Sequence, residues 1–102
     1  MKSLDSKEYY EIIKSDNLSV IKYGASWCGP CRVLAPILEG VSQKFDDVNF
    51  GEIDVDSQQE IAREQGIRSV PTIIFFKNGE IIERLVGLQQ ADFYESKINS
   101  LK

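Results

Sequence analysis

Histidine is absent from this 102-residue chain, and only two cysteines occur. A closed structural zinc site takes about four ligands, so these residues cannot furnish one and no metal is expected. Long apolar runs are missing too. No stretch approaches the ~20 residues of a membrane span, which argues against a membrane partner. The N-terminal segment carries Lys2, Asp5, Lys7 and Glu8 and has no apolar core of a signal peptide. Basic runs are equally absent, and the formal charge is −4 with a sequence pI near 4.8. Nothing here neutralises a row of phosphates, so nucleic acid is excluded as the main partner. The acidity itself reads as plain solubility. Repeats, linkers and low-complexity tracts are not found.

What remains is an ordinary globular composition. A chain of this length suits one domain, residues 1–102. It buries roughly two-thirds of its unfolded surface and needs neither disulfide nor metal to fold. Its cysteines are confined to one short motif. That usage fits a reducing compartment, and a cytoplasmic location is expected.

The motif is Trp27-Cys28-Gly29-Pro30-Cys31. In the first turn of a helix, residues i and i+3 have Cα atoms roughly 5–6 Å apart, within the span of a disulfide. The pair can close and open with little backbone motion. Pro30 suits a helix start, where its missing N–H would be unpaired anyway. Gly29 has no side chain, so a partner's backbone can approach the sulfurs. The helix N-terminus favours thiolate, the attacking form in thiol–disulfide exchange. A structural bridge is a poor alternative, because so short a loop restricts the unfolded chain very little. Two inert cysteines would not need Trp, Gly and Pro beside them. A redox dithiol is the reading these residues favour.

Around the motif, Asp5 or Ser6 is placed to cap a first helix, with Tyr9, Tyr10, Ile12 and Ile13 facing the core. Residues 18–25 read as a largely apolar strand whose one charged residue is Lys22. A helix beginning at the cysteines carries Leu34, Ile37, Leu38, Val41 and Phe45 at amphipathic spacing. Pro36 lies inside it and predicts a kink. Residues 48–55 alternate as a buried strand. Asp56 or Ser57 then opens a third helix, with Ser57 and Glu60 as a capping box and Gly66 as its terminal glycine. Residues 72–76 and 80–86 form a hairpin around Asn78-Gly79. Ala91, Tyr94, Ile98 and Leu101 stripe a last helix. Alternation in the first half implies parallel strands with crossovers, and the hairpin adds an antiparallel pair. The fold class is α/β, a mixed sheet with helices on both faces.

In these particulars the chain resembles the thioredoxins along nearly its whole length. Trp27-Cys28-Gly29-Pro30-Cys31 matches that family's active-site motif, and Ala35-Pro36 its helix-kinking proline. Val70-Pro71-Thr72 resembles the proline loop that faces the cysteines. Phe76-Lys77-Asn78-Gly79 matches the hairpin, and Val86-Gly87 the glycine beside the site. The resemblance implies the thioredoxin fold, a mixed five-stranded central sheet flanked by four helices. It implies reduction of disulfide-containing target proteins and recharging by a thioredoxin reductase. No bound cofactor is implied, and a monomer is expected. Cys28 and Cys31 would be catalytic. Trp27, Gly29, Pro30, Val70, Pro71 and Gly87 would form the docking surface. By itself an X–Pro bond is expected trans; the resemblance makes Val70–Pro71 cis. The residues alone leave Trp27 open as a core side chain and Gly87 as a strand-end bulge.

Two positions depart from the family pattern. It carries a buried aspartate six residues before the first cysteine and a lysine on the next strand. Here those places hold Lys22 and Glu52, with the signs exchanged. Each alone is costly inside a sheet covered on both faces, whereas a pair neutralises itself. The alternative is that both reach solvent at strand ends, Lys22 by snorkelling. The aspartate is the family's candidate proton acceptor for the second cysteine. An ammonium cannot accept a proton, so Glu52 takes that candidacy, directly or through water, with Lys22 beside it. Gly24 stands where an aromatic is common, which predicts looser packing near the motif. Two rival activities remain open. One is an oxidase or isomerase; the other is a binding subunit that grips a partner without turnover. Gly-Pro between the cysteines resembles the reducing branch.

Overall fold

A computed structural model describes residues 1–102. The chain runs β1 (Lys2–Ser3), α1 (Ser6–Ile12), β2 (Ser19–Gly24), α2 (Gly29–Ser42), β3 (Asn49–Asp54), α3 (Gln59–Glu64), β4 (Thr72–Lys77), β5 (Glu80–Val86) and α4 (Ala91–Leu101). The strands form one sheet in the order β1-β3-β2-β4-β5. β3 pairs parallel with β1 and β2, while β4 pairs antiparallel with β2 and β5. The expected mixed five-stranded sheet with four helices is present. Periodicity did not reveal β1, because two residues carry no period.

Period-two alternation divides the core. Val20, Ile73 and Phe75 join Leu34, Leu38 and Val41 of α2 and Tyr94 and Ile98 of α4 on one face. Ile21, Tyr23, Ile53, Ile74 and Phe76 join Tyr9 of α1 and Ile61 of α3 on the other. Each fully buried apolar side chain contributes about 1.5–3 kcal/mol. The same alternation sends Lys22 and Gly24 to the α2 face with Val20. It sends Glu52 and Asp54 there with Phe50, and Lys22 and Glu52 are register partners. On the opposite face, the Tyr9 and Tyr23 hydroxyls lie 2.7 Å apart, and the Gln65 amide donates to Tyr9 Oη at 3.2 Å. Burial raises both phenols above the ordinary tyrosine range, so both stay protonated at neutral pH.

Most local signals are realised. Asp5 caps α1 in a full box with Glu8, the two amide–carboxylate bonds measuring 2.8 and 2.9 Å. Tyr10 and Ile12 are only half-buried. Asn78 at φ 56° and Gly79 at φ 80° make the hairpin turn, whose amides donate to Ser15 and Ile13 carbonyls at 2.9 and 2.8 Å. The turn is thereby fastened to the end of α1. The β4–β5 register shifts at a bulge between Phe75 and Phe76. Phe45 is buried as the stripe implied, but past the end of α2.

The start of α3 corrects the expectation. Neither Asp56 nor Ser57 caps it; Gln58 holds the N-cap without a side-chain bond. Asp54 Oδ1 accepts the amides of Asp56 and Ser57 at 2.8 and 3.3 Å, forming a turn that delays the helix. The Ser57 hydroxyl turns back to the Asp54 carbonyl at 3.4 Å. The other end is as expected. Gly66 at φ 64° closes α3, with its amide on Arg63 and the Ile67 amide on Ala62.

β1 docks by close approach. The Leu4 amide donates to the Glu52 carbonyl at 2.9 Å, and the Leu4 side chain covers Gly51. A Cβ on Gly51 would stand 2.5 Å from Leu4 Cδ1 and 2.9 Å from Cγ. Gly51→Ala should therefore cost about 1–3 kcal/mol, seen as a lower urea midpoint with unchanged slope.

Candidate active site

β2 delivers the chain to the redox motif, and α2 starts inside it. Cys28 is the N-cap of α2 and Cys31 lies one turn in, with Cα atoms 5.3 Å apart. The two are joined as a disulfide. Cys28 Sγ accepts the Cys31 amide at 3.1 Å, so the first sulfur meets the positive end of the helix. Both cysteines are nearly covered, Cys28 at 5 % exposure and Cys31 at 3 %. What separates them is what each faces.

Cys28 faces the proline loop. Its sulfur lies 3.7 Å from the Val70 carbonyl oxygen, and the Val70–Pro71 bond is cis. Pro71 O accepts the Gly87 amide at 2.9 Å. Gly87 has φ 95°, a backbone region that side chains rarely adopt, and it follows β5 directly. It is therefore a fixed neighbour of the loop. Trp27 is not core: it is 66 % exposed, and its indole N–H donates to Asp56 Oδ2 at 2.9 Å. Gly29 and Pro30 are exposed in the first turn.

Cys31 faces a cleft of about 270 Å³. Lys22 reaches it from below at 6 % exposure, with Nζ 3.2 Å from Glu52 Oε2 and 3.5 Å from the Cys31 carbonyl oxygen. The Glu52 side chain is 33 % exposed at the mouth. The exchanged signs do form a pair, but only the cation is buried. Packing at Gly24 is not loose either. A Cβ there would stand 3.2 Å from Cys31 Sγ and 3.3 Å from Lys22 Cε, so the sulfur and the lysine stem fill that space. The open room lies beside it, in the cleft.

Trp27, Gly29, Pro30, Val70, Pro71 and Gly87 thus belong to the rim around Cys28, while Lys22 and Glu52 stand behind Cys31. Asp56 is a neighbour of the site that sequence reasoning missed, and Gly24 is one whose packing it misjudged. Asp56 was read as a helix cap, and no local signal links it to an indole 29 positions away. Gly24 had a signal, its place where the family often carries an aromatic. No group of three or more Cys, Asp or Glu is arranged to hold a metal ion, and no helix is long and apolar enough to cross a membrane.

A cysteine pair that closes within one helical turn, under an accessible rim, is the working centre of a thiol–disulfide oxidoreductase. The comparisons agree. The family model for thioredoxin matches residues 1–100. Thioredoxin-1 of Schizosaccharomyces pombe is 42 % identical over 87 residues, covering 85 % of this chain and 84 % of its own. Thioredoxin of Chlamydia pneumoniae is 35 % identical over 99 residues, covering 97 % of each. Among solved structures, a thioredoxin mutant from Halobacterium salinarum superposes with a TM-score of 0.89 at 33 % identity, covering 98 % of this chain and 88 % of that one. The chain belongs to the thioredoxin family, and its Cys-Gly-Pro-Cys pair makes it a protein-disulfide reductase.

Proposed function

We propose that Cys28 is the attacking sulfur and Cys31 the resolving one, and that a thioredoxin reductase restores the dithiol in the cytoplasm. The observation that carries the assignment is Cys28 at the N-cap of α2, its sulfur 3.1 Å from the Cys31 amide. A thiolate there gains an N–H donor and the helix's positive end. It attacks one sulfur of a target disulfide and forms a mixed disulfide. The other target sulfur leaves with the electron pair and takes a proton. The Cys31 thiol then loses its proton and attacks Cys28 Sγ. The Cys28–target bond breaks, and the second target sulfur leaves and is protonated. Two electrons have passed to the target, and the chain is left as the disulfide.

Glu52, at the open mouth of the cleft, is the carboxylate through which the Cys31 proton leaves, directly or by way of water, and Lys22 holds it there. Trp27, Gly29, Pro30, Val70, Pro71 and Gly87 make the docking surface. Gly87 occupies the Pro71 carbonyl, so the Val70 backbone is the part that pairs with an extended target segment. The protein works as a monomer.

Insulin tests the reading. With dithiothreitol the chain should speed reduction and precipitation of insulin; with thioredoxin reductase it should drive NADPH oxidation. A binding subunit gives neither signal. Activity with dithiothreitol but none with the reductase removes that partner alone. Asp56 should matter as the anchor of Trp27. One hydrogen bond is worth about 1 kcal/mol, so Asp56→Ala should lower kcat/KM toward insulin by up to roughly fivefold and the melting midpoint by no more than about 4–8 °C.

A further inference from the structure

The cleft walled by Lys22, Gly24, Cys31, Arg32, Glu52 and Asp54 includes neither Cys28 nor any docking residue. Every charged group in it has a definite place. Lys22, on β2, is buried with its ammonium at the Cys31 carbonyl oxygen. Its Cε and the Cys31 sulfur press on the same bare face of Gly24. Glu52, on β3, pairs with the ammonium but stands partly in water. Asp54, also on β3, has Oδ1 committed to the Asp56 and Ser57 amides. Arg32, on α2, is exposed. The ammonium alone among these charges is out of water and at the backbone of the resolving cysteine, with its stem beside the sulfur. A desolvated charge acts through a low effective dielectric, whereas solvent screens Glu52 and Arg32. The ion pair therefore presents a net positive potential to Cys31.

We propose that Lys22 is the counter-ion of the Cys31 thiolate, and that the missing side chain at Gly24 is what lets it reach the sulfur. The proposal rests on Cys31 being the resolving sulfur. In the mixed disulfide, the Cys31 thiol gives up its proton to the cleft and becomes a thiolate beside the ammonium. It then attacks Cys28 Sγ, the Cys28–Cys31 bond forms, and the target sulfur departs with the electron pair. Opposite charge at close range enlarges the thiolate population. The stabilised thiolate is also a weaker nucleophile, losing roughly half of that gain on a logarithmic scale. A tenfold larger population therefore speeds resolution about threefold near neutral pH.

The test uses the full chain carrying Cys28→Ser, which leaves Cys31 as the only thiol, and follows ultraviolet thiolate absorbance against pH. Lys22→Met should ionise at higher pH, with about tenfold less thiolate at any pH below the parent's midpoint. Lys22→Arg should restore most of it. The neutralised pair, Lys22→Met with Glu52→Gln, should still ionise at higher pH than the parent. Glu52→Gln alone should ionise at lower pH. In the two-cysteine chain, Lys22→Met should slow single-turnover resolution about threefold. A neutralised pair that ionises with the parent, or a Glu52→Gln chain that ionises at higher pH, overturns the proposal. Either result leaves insulin reduction by the unaltered chain intact, so the reductase reading survives it. Should Lys22→Met fail to fold, the Glu52→Gln titration still decides.

Discussion

Replacing Cys31 with serine should stop turnover and leave the protein covalently attached to its targets. Cys28 keeps the backbone amide of position 31 and its place beside Val70, so the first attack still proceeds. The second thiol is gone, and the mixed disulfide persists. Cys28→Ser should trap nothing, because the remaining sulfur opens toward the cleft of Lys22 and Gly24 rather than toward the docking rim. Non-reducing electrophoresis after mixing each variant with a disulfide-bonded protein reads the difference directly. Multiple turnover should be lost in both variants, and adducts should form in only one. Equal trapping by the two would reverse or erase the roles assigned to the sulfurs. Near-equal burial makes this a demanding comparison, since exposure alone would predict no difference.

Lys22→Asp should cost about 3 kcal/mol and lower the melting midpoint by more than about 10 °C. The change removes the one cation from the α2 face of β2 and β3 and sets a third acid beside Glu52 and Asp54. It also deletes the aliphatic stem packed against Gly24. Glu52 is partly hydrated, which holds the cost toward the low end for a broken pair. Because positions 22 and 52 are register partners on parallel strands, Lys22→Asp with Glu52→Lys should recover most of the loss. Urea unfolding of the four proteins closes the cycle, and a coupling above about 1 kcal/mol is expected. If the two single effects simply add, the residues are not partners, and Glu52 loses its place in the proton path.

Those two residues also mark how far the sequence could be read. Their exchanged signs were visible against the family pattern, but that left a buried pair and two solvent-reaching side chains both open until the strand register set them opposite one another. The unequal burial was not visible. It depends on where the cleft opens, which the strands and α2 settle together in three dimensions. Elements with signals spanning a few residues were legible: the α2 stripe, the Asn78-Gly79 turn, the glycine end of α3. The α3 start was misread because two acids had other work. Asp54 took the turn amides and Asp56 took the Trp27 indole, and the second contact is far from local. Val70 and Pro71 carry no chemistry of their own in sequence. Only a resemblance nominated them, and only folding brings them against Cys28.

The open edge formed by β5 has a consequence for what the molecule must refuse. A protein that invites extended segments of strangers at one loop runs the hazard of inviting them everywhere, above all along an unpaired strand. β5 is such a strand, with Ile81 and Ile82 partly exposed. Glu80, Glu83 and Arg84 are interleaved with them, and the bulge at Ile82 of β5 itself breaks the even spacing that a visiting strand would need. At the other edge, β1 is too short to template anything. Neither edge therefore offers a further strand a long, evenly spaced row of free backbone groups.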